Sequence, residues 1–244
     1  MYRHVLKDRA PPKTIFHWLL LAFLAGSVNA GAFLACGRFV THVTGFATHF
    51  GVDLVEHRYA DALGIFAIPL FFILGSTVSG FLVDNRIDHR QEPRYDAVMF
   101  LSSFALLLVA LGGQFRVFGA FGQTLHIRSD FFLLALLCFA MGLQNAAITS
   151  ASKGTVRTTH LTGLSTDLGI GLAKLFSTDW ANRETLERRL RTQTVRLGTI
   201  GSYIAGSVAG ALLFVTAHYL GFLLPASLAA YAGAVAWFEE FREP

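Results

Sequence analysis

The chain has 244 residues, 53% of them hydrophobic and 15% charged, with a mean hydropathy of +0.51 and a formal net charge of +4. Soluble domains carry about 25% charged residues, so this balance excludes an ordinary water-soluble globule. The bases are scattered between apolar runs and form no patch of the kind nucleic acid needs.

In chain order, charge-free runs cover 14–37, 62–83, 97–115, 131–152 and 197–238. A bilayer core asks for about 20 apolar residues per helix, so the first four runs predict one span each. The last is long enough for two, with a break near Ala217-His218-Tyr219-Leu220-Gly221 and Pro225 beyond it. Six spans are expected. Cys36 and Cys138 both fall inside apolar runs, where they read as small core residues and not as a disulfide pair. The start of the chain imitates a signal peptide, with bases, an apolar stretch and Val28-Asn29-Ala30. Apolar sequence nevertheless continues through Cys36, and an Asn-Ala pair recurs at Asn145-Ala146, so a retained first span is expected.

Lys and Arg mark the cytoplasmic side of short loops. They concentrate before the first span (Arg3, Lys7, Arg9, Lys13), after the second (Arg86, Arg90, Arg94) and after the fourth (Lys153 to Arg196). The alternate loops are poorer, with Arg38 and Arg58, then Arg116 and Arg128, then none. With six spans, every rich segment falls on one side and both termini are cytoplasmic.

The chain repeats itself. Shifted by 118 residues, THVTGFATHFGVDL (41–54) falls on THLTGLSTDLGIGL (159–172), matching Thr41, His42, Thr44, Gly45, Thr48 and Gly51 to Thr159, His160, Thr162, Gly163, Thr166 and Gly169. Before each lies a small, amide-rich stretch, Gly26-Ser27-Val28-Asn29-Ala30 and Gly142-Leu143-Gln144-Asn145-Ala146. After each lies a Gly/Ser-rich span and a closing apolar span. Two repeats are expected, 1–122 and 123–244, each of three spans plus a Thr-Gly segment (41–55 and 159–173). Three is odd, so the second copy enters from the opposite side, an arrangement that puts transporter sites at the repeat interface. Parallel repeats of eight spans would drive His49, Asp53, Glu56 and His57 through hydrocarbon, at high cost.

Each Thr-Gly segment reads as an amphipathic or re-entrant helix with Thr41, Thr44, Thr48 and Gly51, or Thr159, Thr162, Thr166 and Gly169, on one face. That face would line a polar path, with helix N-terminal amides favouring an anionic or strongly polar group. Gly45 and Gly163 would allow close backbone approach. The same residue types also pack membrane helices with no ligand at all. Asn29, Gln144 and Asn145 either bind substrate or cross-link helices, and His42 and His160 either relay protons or cap helices. Asp167 is a coupling acid if it faces the path, and a solvated one if the segment lies on the surface. His49, Asp53, Glu56 and His57 make no complete metal set, since the second copy offers Asp167 and Gly171 there. The stretch 179–196 reads as a basic surface helix with Glu184–Arg188 and Glu187–Arg191 pairs. No nucleophilic triad, phosphate loop or metal cluster is visible, so no enzyme activity, cofactor or metal is expected.

Thr-His-Val-Thr-Gly (41–45), Met141-Gly142-Leu143-Gln144-Asn145-Ala146 and Thr-His-Leu-Thr-Gly (159–163), in this order, resemble the YoaK-type bacterial membrane proteins, the family defined by the domain of unknown function DUF1275. The resemblance spans essentially the whole chain and implies a six-span protein of the bacterial inner membrane, without naming a substrate. Asn29 stands where many members carry an acid, and Phe46 where they carry an asparagine. The residues themselves point to a small secondary transporter or channel-like permease for a small polar or anionic solute. The alternative is a non-transporting assembly, sensor or structural protein. The expected partners are the lipid bilayer and that solute, and the short chain leaves room for a homodimer.

Overall fold

The computed structural model describes residues 10–123, 127–177 and 182–240. Arg3, Lys7, Arg9 and positions 179–181, used above, lie outside them. Among the described residues there are helices and no strands: α1 (Pro12–Cys36), α2 (Thr44–Val55), α3 (Tyr59–Leu82), α4 (Asp84–Asp88), α5 (Tyr95–Gln114), α6 (Ile127–Ala151), α7 (Leu161–Phe176), α8 (Arg183–Ala217), a 3-10 turn (His218–Phe222) and α9 (Leu223–Glu240).

Among the described residues, five helical stretches are long and apolar enough to cross a membrane: Pro12–Cys36, Tyr59–Asp88, Tyr95–Gln114, Asp130–Ala151 and Arg183–Glu239. The set is consistent with a multi-pass membrane protein. Five stretches stand in place of six because α8, the 3-10 turn and α9 form one helical run, broken at His218 (φ 47, ψ −130). The outward face of the bundle is apolar, with Phe66, Leu70, Phe104, Leu212 and Phe238 exposed, while Ser27, Ser102, Gln144 and Thr199 are buried inside. That distribution suits a lipid solvent, in which helices gain nothing by hiding leucine and everything by satisfying polar groups within the bundle.

The packing is organised by two glycine crossings. In the first, α1 and α8 run side by side in one direction: Leu19 lies by Gly198, Ser27 by Gly210 and Gly31 by Phe214. At its centre a Cβ on Gly26 would strike the Tyr203 carbonyl oxygen, and one on Gly206 the Phe23 carbonyl oxygen. In the second, α3 and α6 run together, from Phe71 beside Phe131 to Ser150, whose hydroxyl donates to Asp84 at 2.8 Å. Gly75 lies against the Phe139 carbonyl and Gly142 against that of Phe72. Each crossing has a matching hydrogen bond. The Ser207 hydroxyl donates to the Gly26 carbonyl at 3.2 Å, and the Ser76 hydroxyl to the Gly142 carbonyl at 3.3 Å.

Helices α5 and α9 are antiparallel, with the Ser103 hydroxyl donating to the Ala226 carbonyl at 2.8 Å and Gly113 lying against Tyr219. Lys13–Glu239 (3.2 Å) and Arg94 over Trp237 (6.0 Å) bring the starts of α1 and α5 and the end of α9 to one end of the bundle. Phe214, near the end of α8, and the 3-10 turn sit at the other end, so the chain turns back on itself at His218.

The basic surface helix expected over 179–196 is not a separate element. Arg183–Ala217 is one continuous helix of 35 residues, started by the Asn182 side chain, which accepts the Thr185 N–H at 3.1 Å. Among the described residues Glu184–Arg188 and Glu187–Arg191 are not paired. Arg191 instead donates to the Ala10 carbonyl and Arg189 to that of Lys174. The apolar continuation of the helix fixes these side chains over the start of α1 and the end of α7, where main-chain carbonyls are better partners than a solvated carboxylate.

Candidate functional site

After α1 the chain reverses at Gly37, whose φ of 70° closes the helix with a bond from its N–H to the Phe33 carbonyl at 2.8 Å. It then doubles back. Asn29 Oδ1 accepts the Val40 N–H at 3.1 Å, the Thr41 N–H at 3.3 Å and the Thr41 hydroxyl at 3.0 Å. Asn29 lies seven residues before the end of α1, so the loop returns about 10 Å along the helix. The Cys138 thiol, midway along α6, reaches the Val40 carbonyl at 3.8 Å. Because the Thr41 hydroxyl has given its proton to Asn29, the Tyr203 hydroxyl of α8, 2.8 Å away, donates to it.

The second copy repeats the device more simply. Asn145 Oδ1 accepts the Thr159 N–H at 3.3 Å, and Thr159 is buried as Thr41 is. Phe72 occupies the place that Tyr203 has in the first copy, against the paired glycine, and has no hydroxyl to offer. Thr41 and Thr159 therefore belong to the buried anchors of the loops and not to the open helical face expected of them. Thr44, Thr48, Thr162 and Thr166 do lie on exposed faces of α2 and α7, together with Gly51 and Gly169. The Thr48 and Thr166 hydroxyls turn back to the carbonyls of Thr44 (3.4 Å) and Thr162 (3.1 Å). No side chain caps the first turn of either α2 or α7, so their leading amides are open.

His42 and His160 come from the two loops and lie close enough for the charge of one to act on the other. Burial, and then the charge that His160 would carry, hold His42 below the usual histidine range. Each ring folds over the glycine three residues on, and a Cβ at Gly163 would collide with His160 Nδ1. The Thr-Gly glycines thus make room for an imidazole of their own loop. A stack of rings, Phe33 on Phe39 at 4.8 Å and Phe39 beside His42 at 5.3 Å, links the first loop to the end of α1.

The sequence of residues 17–236 matches the family described as "Protein of unknown function (DUF1275)". The chain belongs to the DUF1275 family. No curated protein and no solved structure matches it.

In this DUF1275 protein the other singled-out residues divide by place. Gln144, fully buried, donates from Nε2 to the Leu21 carbonyl of α1 at 2.7 Å, while its Oε1 is buried without a partner. Asp167 is half-exposed, with Arg196 Nη2 3.6 Å from its carboxylate and Arg196 Nη1 2.9 Å from its main-chain carbonyl. It sits on α7 away from the loop anchors. Asp53 is buried and bound by Arg58, which also meets Glu56 at 2.8 Å. Tyr203 is the loop partner that the sequence did not single out. Its tyrosine, two turns of helix from any charge, reads in sequence as one more aromatic in an apolar run, and its only signal is that it stands three residues before Gly206 of the crossing.

Proposed function

We propose that the chain is a small secondary transporter or channel-like permease of the bacterial inner membrane. It is built from two inverted three-span repeats (1–122 and 123–244), with both termini cytoplasmic, and carries a small polar or anionic solute. The observation that carries this reading is the matched build of the two Thr-Gly loops. Each folds back along its own first helix, each is pinned by an asparagine of the repeated amide stretch, and the two histidines lie within electrostatic reach of each other. Discontinuous helices with open N-termini facing one another across a repeat interface are how inverted-repeat transporters present a site. The inversion is supported by the paired crossings: Gly26 and Gly206 with Ser207 in one, Gly142 and Gly75 with Ser76 in the other, running in opposite directions. The exposed threonines of α2 and α7 line the route away from the histidines on either side.

A second reading has an observation of its own. Asn29 Oδ1 is already occupied by three donors of its loop, and Gln144 holds α6 to α1. On that reading the amides hold a non-transporting assembly or structural protein together. Reconstituted vesicles loaded against radiolabelled small anions, amino acids and sugars separate the two. The permease reading expects uptake of at least one solute by wild type, and its loss in a Thr44→Ala/Thr162→Ala double variant of normal folded yield. No uptake by wild type, or a double variant that fails only in folded yield, favours the structural reading.

A further inference from the structure

A cavity of about 450 Å³ lies beyond the end of α1, lined by Arg38, Asp53, Arg58, Asp61, Ile65 and the Gly122–Gln123 turn, with Phe33 at its edge. The Gly122 N–H closes one wall by donating to the Ala35 carbonyl at 3.0 Å. Ligand pockets for small molecules occupy roughly 300–1,000 Å³, so the space suits a small solute. Four charges face it, and two of them cancel. Arg58 is spent on buried Asp53 and on Glu56. The other two make no ion pair, although the Asp61 charge still reaches Arg58 through space. Arg38 makes one long bond, 3.4 Å to the carbonyl of its own neighbour Gly37, and its Nε is buried with no partner. Asp61, half-buried in the first turn of α3, has no hydrogen bond or ion pair among the described residues. The dipole of α3 favours an acid at that position but offers nothing to Arg38. Arg38 and Asp61 are not paired with each other.

We infer that this cavity binds a small zwitterion, with its carboxylate on the Arg38 guanidinium and its ammonium on the Asp61 carboxylate. An anion alone would leave Asp61 facing added negative charge, and a cation alone would leave Arg38 unmatched. A molecule carrying both completes two unsatisfied groups at once, and partly buried charges gain most from partners. The guanidinium suits a carboxylate because its planar fork can hold both oxygens. The ring stack Phe33–Phe39–His42 runs from the edge of the cavity to His42 of the first loop. The site therefore lies at one mouth of the proposed route. This inference rests on the permease reading only for its place in a route and names the solute class; binding itself stands apart from transport.

The test is melting of the purified full chain in mild detergent against glycine, β-alanine and 4-aminobutyrate, with acetate and methylammonium as half-ligands at equal ionic strength. At least one zwitterion is expected to raise the melting temperature saturably, while neither half-ligand does at the same concentration. Arg38→Gln and Asp61→Asn are each expected to weaken the apparent affinity by about tenfold or more, the worth of a hydrogen bond to a charged group. Asp61→Asn, at a half-buried position, keeps the test decisive if Arg38→Gln does not fold. No shift with any of the three zwitterions, or a shift unchanged in Asp61→Asn, overturns the inference. Vesicle uptake keeps the two claims apart. Zwitterion binding without uptake leaves the site standing and removes the permease, whereas uptake of some other solute without zwitterion binding does the reverse.

Discussion

Asn29 holds the first loop by its oxygen alone. Removing it leaves the Val40 and Thr41 amides without partners in a buried place, at about 1–3 kcal/mol for each unsatisfied group. Asn29→Ala is therefore expected to lower the melting temperature in detergent clearly. Tyr203→Phe removes one donor and leaves the Thr41–Asn29 bond intact, a loss of about 0.5–1.5 kcal/mol. An Asn29→Ala variant as stable as Tyr203→Phe would contradict the assignment of Asn29 as the anchor. His42 adds a pH dependence. Its folded-state pKa lies below the ordinary value of about 6.5, so the folded chain binds less proton there than the unfolded chain does. The sign follows: the neutral ring is compatible with full stability above that pH, and stability falls as pH drops below it. His42→Asn is expected to flatten the melting-temperature profile between neutral and mildly acidic pH relative to wild type, and identical profiles would contradict it.

At the scale of elements, the crossings carry the fold. Gly206 and Gly26 let α8 and α1 touch backbone to backbone, and the same is true of Gly75 and Gly142 for α3 and α6. Within a bilayer there is no hydrophobic force to drive helices together, so this close approach and the serine bonds across it do that work. Gly206→Val is expected to push α8 off α1 and abolish a monodisperse species in size-exclusion chromatography. Gly201→Val, at a position with open space around it, should behave as wild type. Equal behaviour of the two variants would contradict the crossing. The helices themselves were legible from hydropathy, because charge-free length is what a bilayer demands. The Gly/Ser-rich spans noted after each Thr-Gly segment are α3 and α8, which supply Gly75 and Gly206 to the crossings. The loops were not. Their path depends on an asparagine side chain accepting from main-chain amides eleven and twelve residues on in the first loop and fourteen in the second, and no periodicity announces such a bond.

For the whole molecule, the Thr-Gly segments and amide stretches that recur in order in the sequence motivate the proposed pair of repeats, and the matched crossings support it. The cavity beyond α1 was not readable. Arg38, Arg58 and Asp61 stand beside spans, and in sequence such residues serve first as markers of sidedness. Only their convergence on one space distinguishes a lining residue from a flanking one. The charge bias and the crossings together make one claim about the molecule, that its two halves face opposite ways. Sidedness tests it directly, by single cysteines at His57 and Lys153 in a chain whose Cys36 and Cys138 are replaced, probed with a membrane-impermeant maleimide on intact cells and after permeabilisation. Inverted halves predict that a cysteine at 57 reacts in intact cells and one at 153 only after permeabilisation; reaction of both from the same side would contradict the account.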